Sequence, residues 1–246
     1  MQKIIVFYAA AILCLAGCRT SNQSSAAPGS ASAGVPPGVH TWVDESSLSA
    51  REVNRDLLPV QVGGKWGYIG PDGVIKITPQ YDRAYGFLYE LAEICVGECT
   101  YDKPGKHGLI NTSGQFVVNP VYDDIGGSEG ELIPVCIGKC VPWEGVDSKW
   151  GFVDRKGNLV IPLQFGRVGS FSEGLAPVCI GTACGGASPN GKWGYIDKAG
   201  HFVINPQYDD AGPMSGGVAE VTVGTGKEAK TGYIDKTGKL IYNPTN

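Results

Sequence analysis

Polar and apolar positions along most of this chain come in short, regularly ordered blocks. The clearest runs from Lys192: Lys-Trp-Gly-Tyr-Ile-Asp, then Lys-Ala-Gly, then His-Phe-Val-Ile-Asn-Pro-Gln-Tyr-Asp. The first block is aromatic and β-branched, which predicts a strand. Asp197-Lys198-Ala199-Gly200 and Asp235-Lys236-Thr237-Gly238 predict turns, with Asp capping through its side chain and Gly supplying a positive φ. Asn111-Thr112-Ser113-Gly114 is the same turn with Asn as cap. Phe202 to Pro206 predicts a second strand, stopped by the proline. After Tyr-Asp and a loop comes a third strand, Leu175 to Ile180, matched by Leu91 to Val96 and Leu132 to Ile137. Leu57 to Val62 is that third strand without a preceding copy, so the array opens on a half unit.

Equivalent copies begin at Lys65, Lys106, Lys149 and Lys192, with a shortened one at Lys230. Their marker glycines are Gly67, Gly108, Gly151, Gly194 and Gly232, spaced 41, 43, 43 and 38 residues apart. Such a period means a repeat architecture. The expected fold is all-β, a tandem array of three-stranded antiparallel β-meanders of about 42 residues over 57–246. A closed, propeller-like arrangement is the alternative. One unit is too small to bury its own aromatic face and must stack on its neighbours. These units resemble WG repeats, named for the pair found at Trp66-Gly67, Trp150-Gly151 and Trp193-Gly194. The second copy has His107, and the fifth Thr231, in place of Trp. The resemblance implies a bacterial protein and an architecture more than an activity.

The N-terminus has a different character. Lys3 precedes a 12-residue apolar run, Ile4 to Leu15, which has the length of a signal peptide and is short for a membrane span. Leu15-Ala16-Gly17-Cys18 resembles the lipobox of bacterial lipoproteins. That resemblance implies cleavage after residue 17 and a lipid on Cys18, an anchor strong enough to hold the chain on a membrane. It implies an exported lipoprotein, with Arg19 rather than Asp next to the cysteine pointing to the outer membrane or cell surface if the source is Gram-negative. Residues 18–44 are rich in Ser, Ala, Gly and Pro and read as a flexible tether. Residues 45–56 have room for one short helix.

The remaining cysteines follow the repeat as Cys95/Cys99, Cys136/Cys140 and Cys179/Cys184, each at the end of a third strand. The fourth copy has Thr222 and neither cysteine. Both members are present three times and absent once, and three cysteines in a column cannot pair among themselves. Local disulfides are therefore expected, in keeping with an exported chain. A reactive dithiol and a metal site are the rival readings. No cysteine precedes a histidine, so covalent haem is excluded, and no metal or other cofactor is expected.

Composition supports this picture. Glycine is abundant (37 residues) and methionine scarce (2), which favours strands and turns over helices. The net charge is −4 with no basic block, so nucleic acid is not an expected partner. Gly126-Gly127-Ser128-Glu129-Gly130 matches the G-x-S-x-G pattern, but it falls in a repeated loop rather than between a strand and a helix. The three histidines (His40, His107, His201) assemble no triad with a serine or cysteine. Asp82, Asp123 and Asp209 follow an aromatic once per unit. The aromatic set Trp66, Tyr81, Trp150, Phe165, Trp193 and Tyr208 is either inter-repeat core or a platform for sugars or peptides. No catalytic residue is assigned. The expected role is non-catalytic binding or scaffolding for protein, peptide or glycan at the cell envelope. An enzyme, either a thiol-disulfide exchanger or a hydrolase, is the alternative.

Overall fold

The computed structural model describes Asn54 and residues 56–100, 105–128, 130–140, 147–181, 184 and 190–242. The signal segment 1–17, Cys18, the tether, His40 and nearly all of the 45–56 segment lie outside the described residues. Those described belong to a single unit, Gly34–Asn246.

The array consists of five small antiparallel sheets, none closed into a barrel. The first holds β1 (Leu58–Val62), β2 (Lys65–Ile69) and β3 (Ile75–Tyr81). The second holds β4 (Arg83–Ala84), β5 (Leu91–Val96), β6 (Lys106–Asn111) and β7 (Phe116–Tyr122). The third holds β8 (Asp124–Ile125), β9 (Leu132–Ile137), β10 (Lys149–Asp154) and β11 (Leu159–Phe165). The fourth holds β12 (Arg167–Val168), β13 (Ala176–Ile180), β14 (Lys192–Ile196) and β15 (Phe202–Tyr208). The fifth holds β16 (Asp210–Ala211), β17 (Val218–Val223), β18 (Lys230–Asp235) and β19 (Leu240–Tyr242).

The meander is present, but its phase differs from the sequence reading. Leu175 to Ile180 does not close the unit that precedes it. It pairs with the next Trp-Gly strand, Cys179 opposite Trp193 and Val178 opposite Gly194. The chain leaves one sheet at each Tyr-Asp or Phe-Gly step and enters the next. A short strand unseen in the sequence follows that step, as Arg83 opposite Cys95 illustrates. The reason is local. Residues 89–90 both take positive φ (45° and 71°) between Leu88 and Leu91, which bridge each other. Two positive φ values in a two-residue connection match the twist of a hairpin. Ser172/Leu175 and Ser215/Val218 repeat the arrangement. The loop the sequence leaves open is therefore a hairpin inside the new sheet.

The predicted turns carry their caps. Asp154, Asp197 and Asp235 each accept two backbone N–H bonds from residues two and four ahead, and Asn111 does the same. The marker glycines have a separate cause. Opposite them the outer strand bulges at its proline, because Trp66 faces Tyr81 while Tyr68 faces Ile77. The bulge brings backbone onto the inner strand, where a methyl group on Gly67 would lie 2.4 Å from the Ile77 carbonyl oxygen. Gly194 meets Ile204 in the same way.

The cores lie between sheets. Tyr68, Ile77, Phe87, Ile94 and Ile110 fill the first joint, and Leu109, Ile125, Ile133 and Val153 fill the second. Phe152, Ile161, Phe165, Val178 and Ile196 fill the third, and Trp193, Tyr195, Met214 and Val221 the fourth. Successive strand residues point to opposite faces. Leu109 and Ile110 thus enter different cores, as do Phe152 and Val153. An inner sheet is covered on both sides, so its strands read as apolar runs.

Candidate functional site

Each joint is tied by polar groups as well as apolar ones. Asp82, at the crossing from the first sheet to the second, accepts from Lys65 Nζ (2.6 Å) and from the Gly97 N–H (2.9 Å). Asp123 accepts from Lys106 (2.5 Å) and Gly138 (2.9 Å), and Asp209 from Lys192 (2.6 Å) and Gly224 (2.8 Å). One carboxylate thereby links the start of a Trp-Gly strand to the end of the following sheet's first long strand. The hydrogen bonds from lysine hold the Asp82 and Asp209 carboxyls below the usual range, with the glycine N–H groups adding to the effect. At the third joint Gly166 replaces the aspartate, and Ser148 donates to its carbonyl oxygen at 2.7 Å. Buried hydroxyls add a second tie: Tyr68 donates to the Tyr85 carbonyl oxygen and Tyr195 to that of Gly212, both at 2.7 Å. Burial drives both phenol pKa values upward, so they stay protonated. On the capped turns, Lys198 pairs with Glu131, and Lys236 with Glu173 at 2.9 Å. Arg155 donates to the Ser128, Gly130 and Tyr89 carbonyl oxygens.

The repeated aromatics divide by depth. Trp193 is 6% exposed, and Tyr81, Phe165 and Tyr208 are buried. Trp66 and Trp150 are half-buried against the first and third cores. Gly67, Gly151 and Gly194 are buried beneath the bulges. Ser128 is buried in its loop, with its carbonyl engaged by Arg155. His201 stands exposed beside Asp197.

The structure joins Cys95 to Cys99, Cys136 to Cys140 and Cys179 to Cys184. Their placement explains why they are there. Between β1 and β2 the connection is only Gly63-Gly64, both at positive φ. The corresponding connections in the next three sheets are residues 97–105, 138–148 and 181–191, and each carries a disulfide. The fifth sheet's connection, 224–229, is shorter and has a 3-10 turn in place of cysteines. The bond closes a small ring at the start of each connection, and Gly105 and Gly191, at the far end of two of them, lie so close that a Cβ would strike both sulfurs.

One cluster departs from this structural plan. His107 fills the tryptophan slot of the second sheet, and its Nδ1 lies 2.5 Å from Glu93 Oε1. Asp124, from the third sheet, brings a carboxylate so that one donor atom of each lies within 4.8 Å of the others. All three are half-buried. Burial lowers the His107 pKa, but the Glu93 hydrogen bond and charge outweigh it and the net shift is upward. Burial, then the Glu93 charge, pushes Asp124 up to about 6. Arg83 acts against His107 protonation, and its guanidinium stacks over the Tyr85 ring at 5.2 Å. Sequence reading misses the trio because its members lie 14 and 17 residues apart in three different strands.

A family model described as "WG containing repeat" matches residues 66–98, 108–139, 150–181 and 193–227, together more than half of the chain. Among solved structures, a crystal structure of the tricorn protease shares 11% identity over 79% of this chain and 22% of that one, at a TM-score of 0.33. No curated protein sequence matches. With four consecutive matches, each starting in the Trp-Gly strand of a successive sheet (β2, β6, β10 and β14), the chain belongs to the WG-repeat family.

Proposed function

We propose that this chain is a lipid-anchored protein of the bacterial cell envelope that binds or scaffolds protein, peptide or glycan without catalysing a reaction. The observation that carries the binding role is a row of exposed apolar residues at one repeated position: Val62, Val96, Ile137, Ile180 and Val223. Each stands opposite the lysine that opens the next strand, namely Lys65, Lys106, Lys149, Lys192 and Lys230. A recurring exposed apolar side chain along the array suits an extended ligand with an apolar face better than a single compact one. The repeated tryptophans are less available, being wholly or half taken up in cores. WG repeats are not a known enzyme family. Thiol exchange is restricted at Cys95, Cys136 and Cys179, which are 0% exposed, and at two of the bonds only the half-buried partners Cys99 and Cys140 offer a sulfur to attack. The lipobox-like Leu15-Ala16-Gly17-Cys18 supports the anchor, and three disulfides suit an oxidising compartment.

The test uses Val96→Lys, Ile137→Lys and Ile180→Lys combined. The variant should keep its melting temperature and lose the envelope components that the parent captures from extract. Retained capture would reject the row as the binding surface. In cells, Cys18→Ser should abolish labelling by a palmitate analogue, and unchanged labelling would remove the lipid anchor.

A further inference from the structure

The repeat supplies its own controls for the Glu93, His107 and Asp124 cluster. By strand register, the counterparts of Glu93 are Pro59, Pro134 and Pro177 in the first, third and fourth sheets. His107 corresponds to Trp66, Trp150 and Trp193. Asp124 corresponds to Arg83, Arg167 and Asp210 in the short strands. The joint between the second and third sheets is the one, among the described residues, where all three slots carry metal-ligating side chains together. The first and third joints place a proline, an indole and a guanidinium where the second places a carboxylate, an imidazole and a second carboxylate.

A simple ion pair does not account for this set. Glu93 alone satisfies a charged imidazole, and its contact with His107 is already 2.5 Å. Asp124 adds a second carboxylate to the same half-buried place. A protonated His107 supplies one charge to two carboxylates, and a divalent ion would supply two. Arg83 stacks on Tyr85 instead, and no ion pair joins it to Glu93 or Asp124 among the described residues. Ligand atoms held about 2.0–2.2 Å from one ion lie roughly 3–4.4 Å from each other; here one atom of each residue lies within 4.8 Å of the others, and Glu93 must turn out of its 2.5 Å hydrogen bond with His107 to join the ion. The Ile125 N–H donates to Asp124 Oδ1 at 3.0 Å and fixes that carboxylate. Hard ions such as Ca2+ and Mg2+ take six or more oxygens, whereas one imidazole and two carboxylates suit Zn2+.

We propose that Glu93, His107 and Asp124 are three ligands of a zinc-class divalent ion that bridges the second and third sheets and leaves a fourth position to water. Binding exchanges a proton for the ion, because the ring nitrogen that ligates must be deprotonated. The ion ties together the joint whose tryptophan is missing.

The experiment is titration of ZnCl2 into the purified full chain, disulfides intact, after chelator treatment and desalting, with Co2+ absorption as a second probe. One ion per chain is expected, with proton release, a higher melting temperature and a four- or five-coordinate Co2+ spectrum. Asp124→Asn, which preserves size, should weaken binding by about tenfold or more. His107→Trp, which restores the residue of the other joints, should abolish it, while His201→Ala should leave it unchanged. Absence of stoichiometric Zn2+ binding by the parent would overturn the proposal. So would equal binding by the parent and Asp124→Asn, which reads the site even if the tryptophan variant fails to fold.

Discussion

The Asp82 carboxylate accepts the N–H of Gly97, 15 residues ahead in the next sheet, while it holds Lys65 of the sheet before. A conventional charged contact would add little at such a surface, but a backbone N–H bonded to an anion is more directional. Asp82→Asn and Asp209→Asn should each cost about 1 kcal/mol. The folded-state pKa of both carboxyls lies below the unfolded value. Their contribution is therefore full above the ordinary carboxylate range near about pH 4 and is lost as pH falls through the folded values. Melting curves from neutral pH downward should show a steep acid limb. The double variant should flatten it, and an identical limb would refute the assignment.

Burial ranks the tryptophans. Trp193→Ala should cost roughly 3–5 kcal/mol, as expected for a large side chain removed from a core. Trp66→Ala and Trp150→Ala should cost less, because both indoles are half-exposed. Iodide should quench Trp66 and Trp150 more than Trp193 in single-tryptophan variants. The reverse order would contradict the packing.

Two glycines separate strain from collision. Gly174 has φ of 91° and open space where a Cβ would stand, so Gly174→Ala should cost about 1–2 kcal/mol. Gly194 has backbone 2.4 Å from that position, so Gly194→Ala must displace the bulge at Ile204 and should cost about 3 kcal/mol or more. Equal denaturation midpoints for the two variants would show that the bulge is not fixed.

Much of this was legible in the chain. Trp193 to Ile196 and Phe202 to Pro206 carry enough β-branched and aromatic side chains to declare strands, and Asp197 with Gly200 declares the turn between them. The strand grouping was not legible. Leu175 to Ile180 has the same local appearance whichever Trp-Gly strand it joins, and the choice rests on the Glu173-Gly174 hairpin turn and the Phe165-Gly166 crossing. The clasp by Asp82 was hidden because its partners lie 17 residues behind and 15 ahead. His107 looked like a failed tryptophan, since its meaning depends on Glu93 and Asp124, which only the stacking of sheets brings near.

Removing a disulfide should affect the long loops alone. Replacing Cys95 and Cys99 by alanine frees a five-residue ring and should cost about 2 kcal/mol in the chain-entropy model. Hydrogen exchange should accelerate in 97–105 while β1 to β3 stay protected. Faster exchange throughout the first sheet would mean that the bond supports more than its own loop.

The division of Leu109 and Ile110 between two cores governs how the array comes apart. Melting an inner sheet opens two interfaces, whereas melting the first or fifth opens one. Loss of order should therefore advance inward from the ends, with β17 to β19 and β1 to β3 as the starting points. The middle sheets are insulated by their neighbours rather than by any greater strength of their own. The same logic makes the chain modular. A unit removed between two Tyr-Asp crossings would leave matching walls on either side, ready to meet.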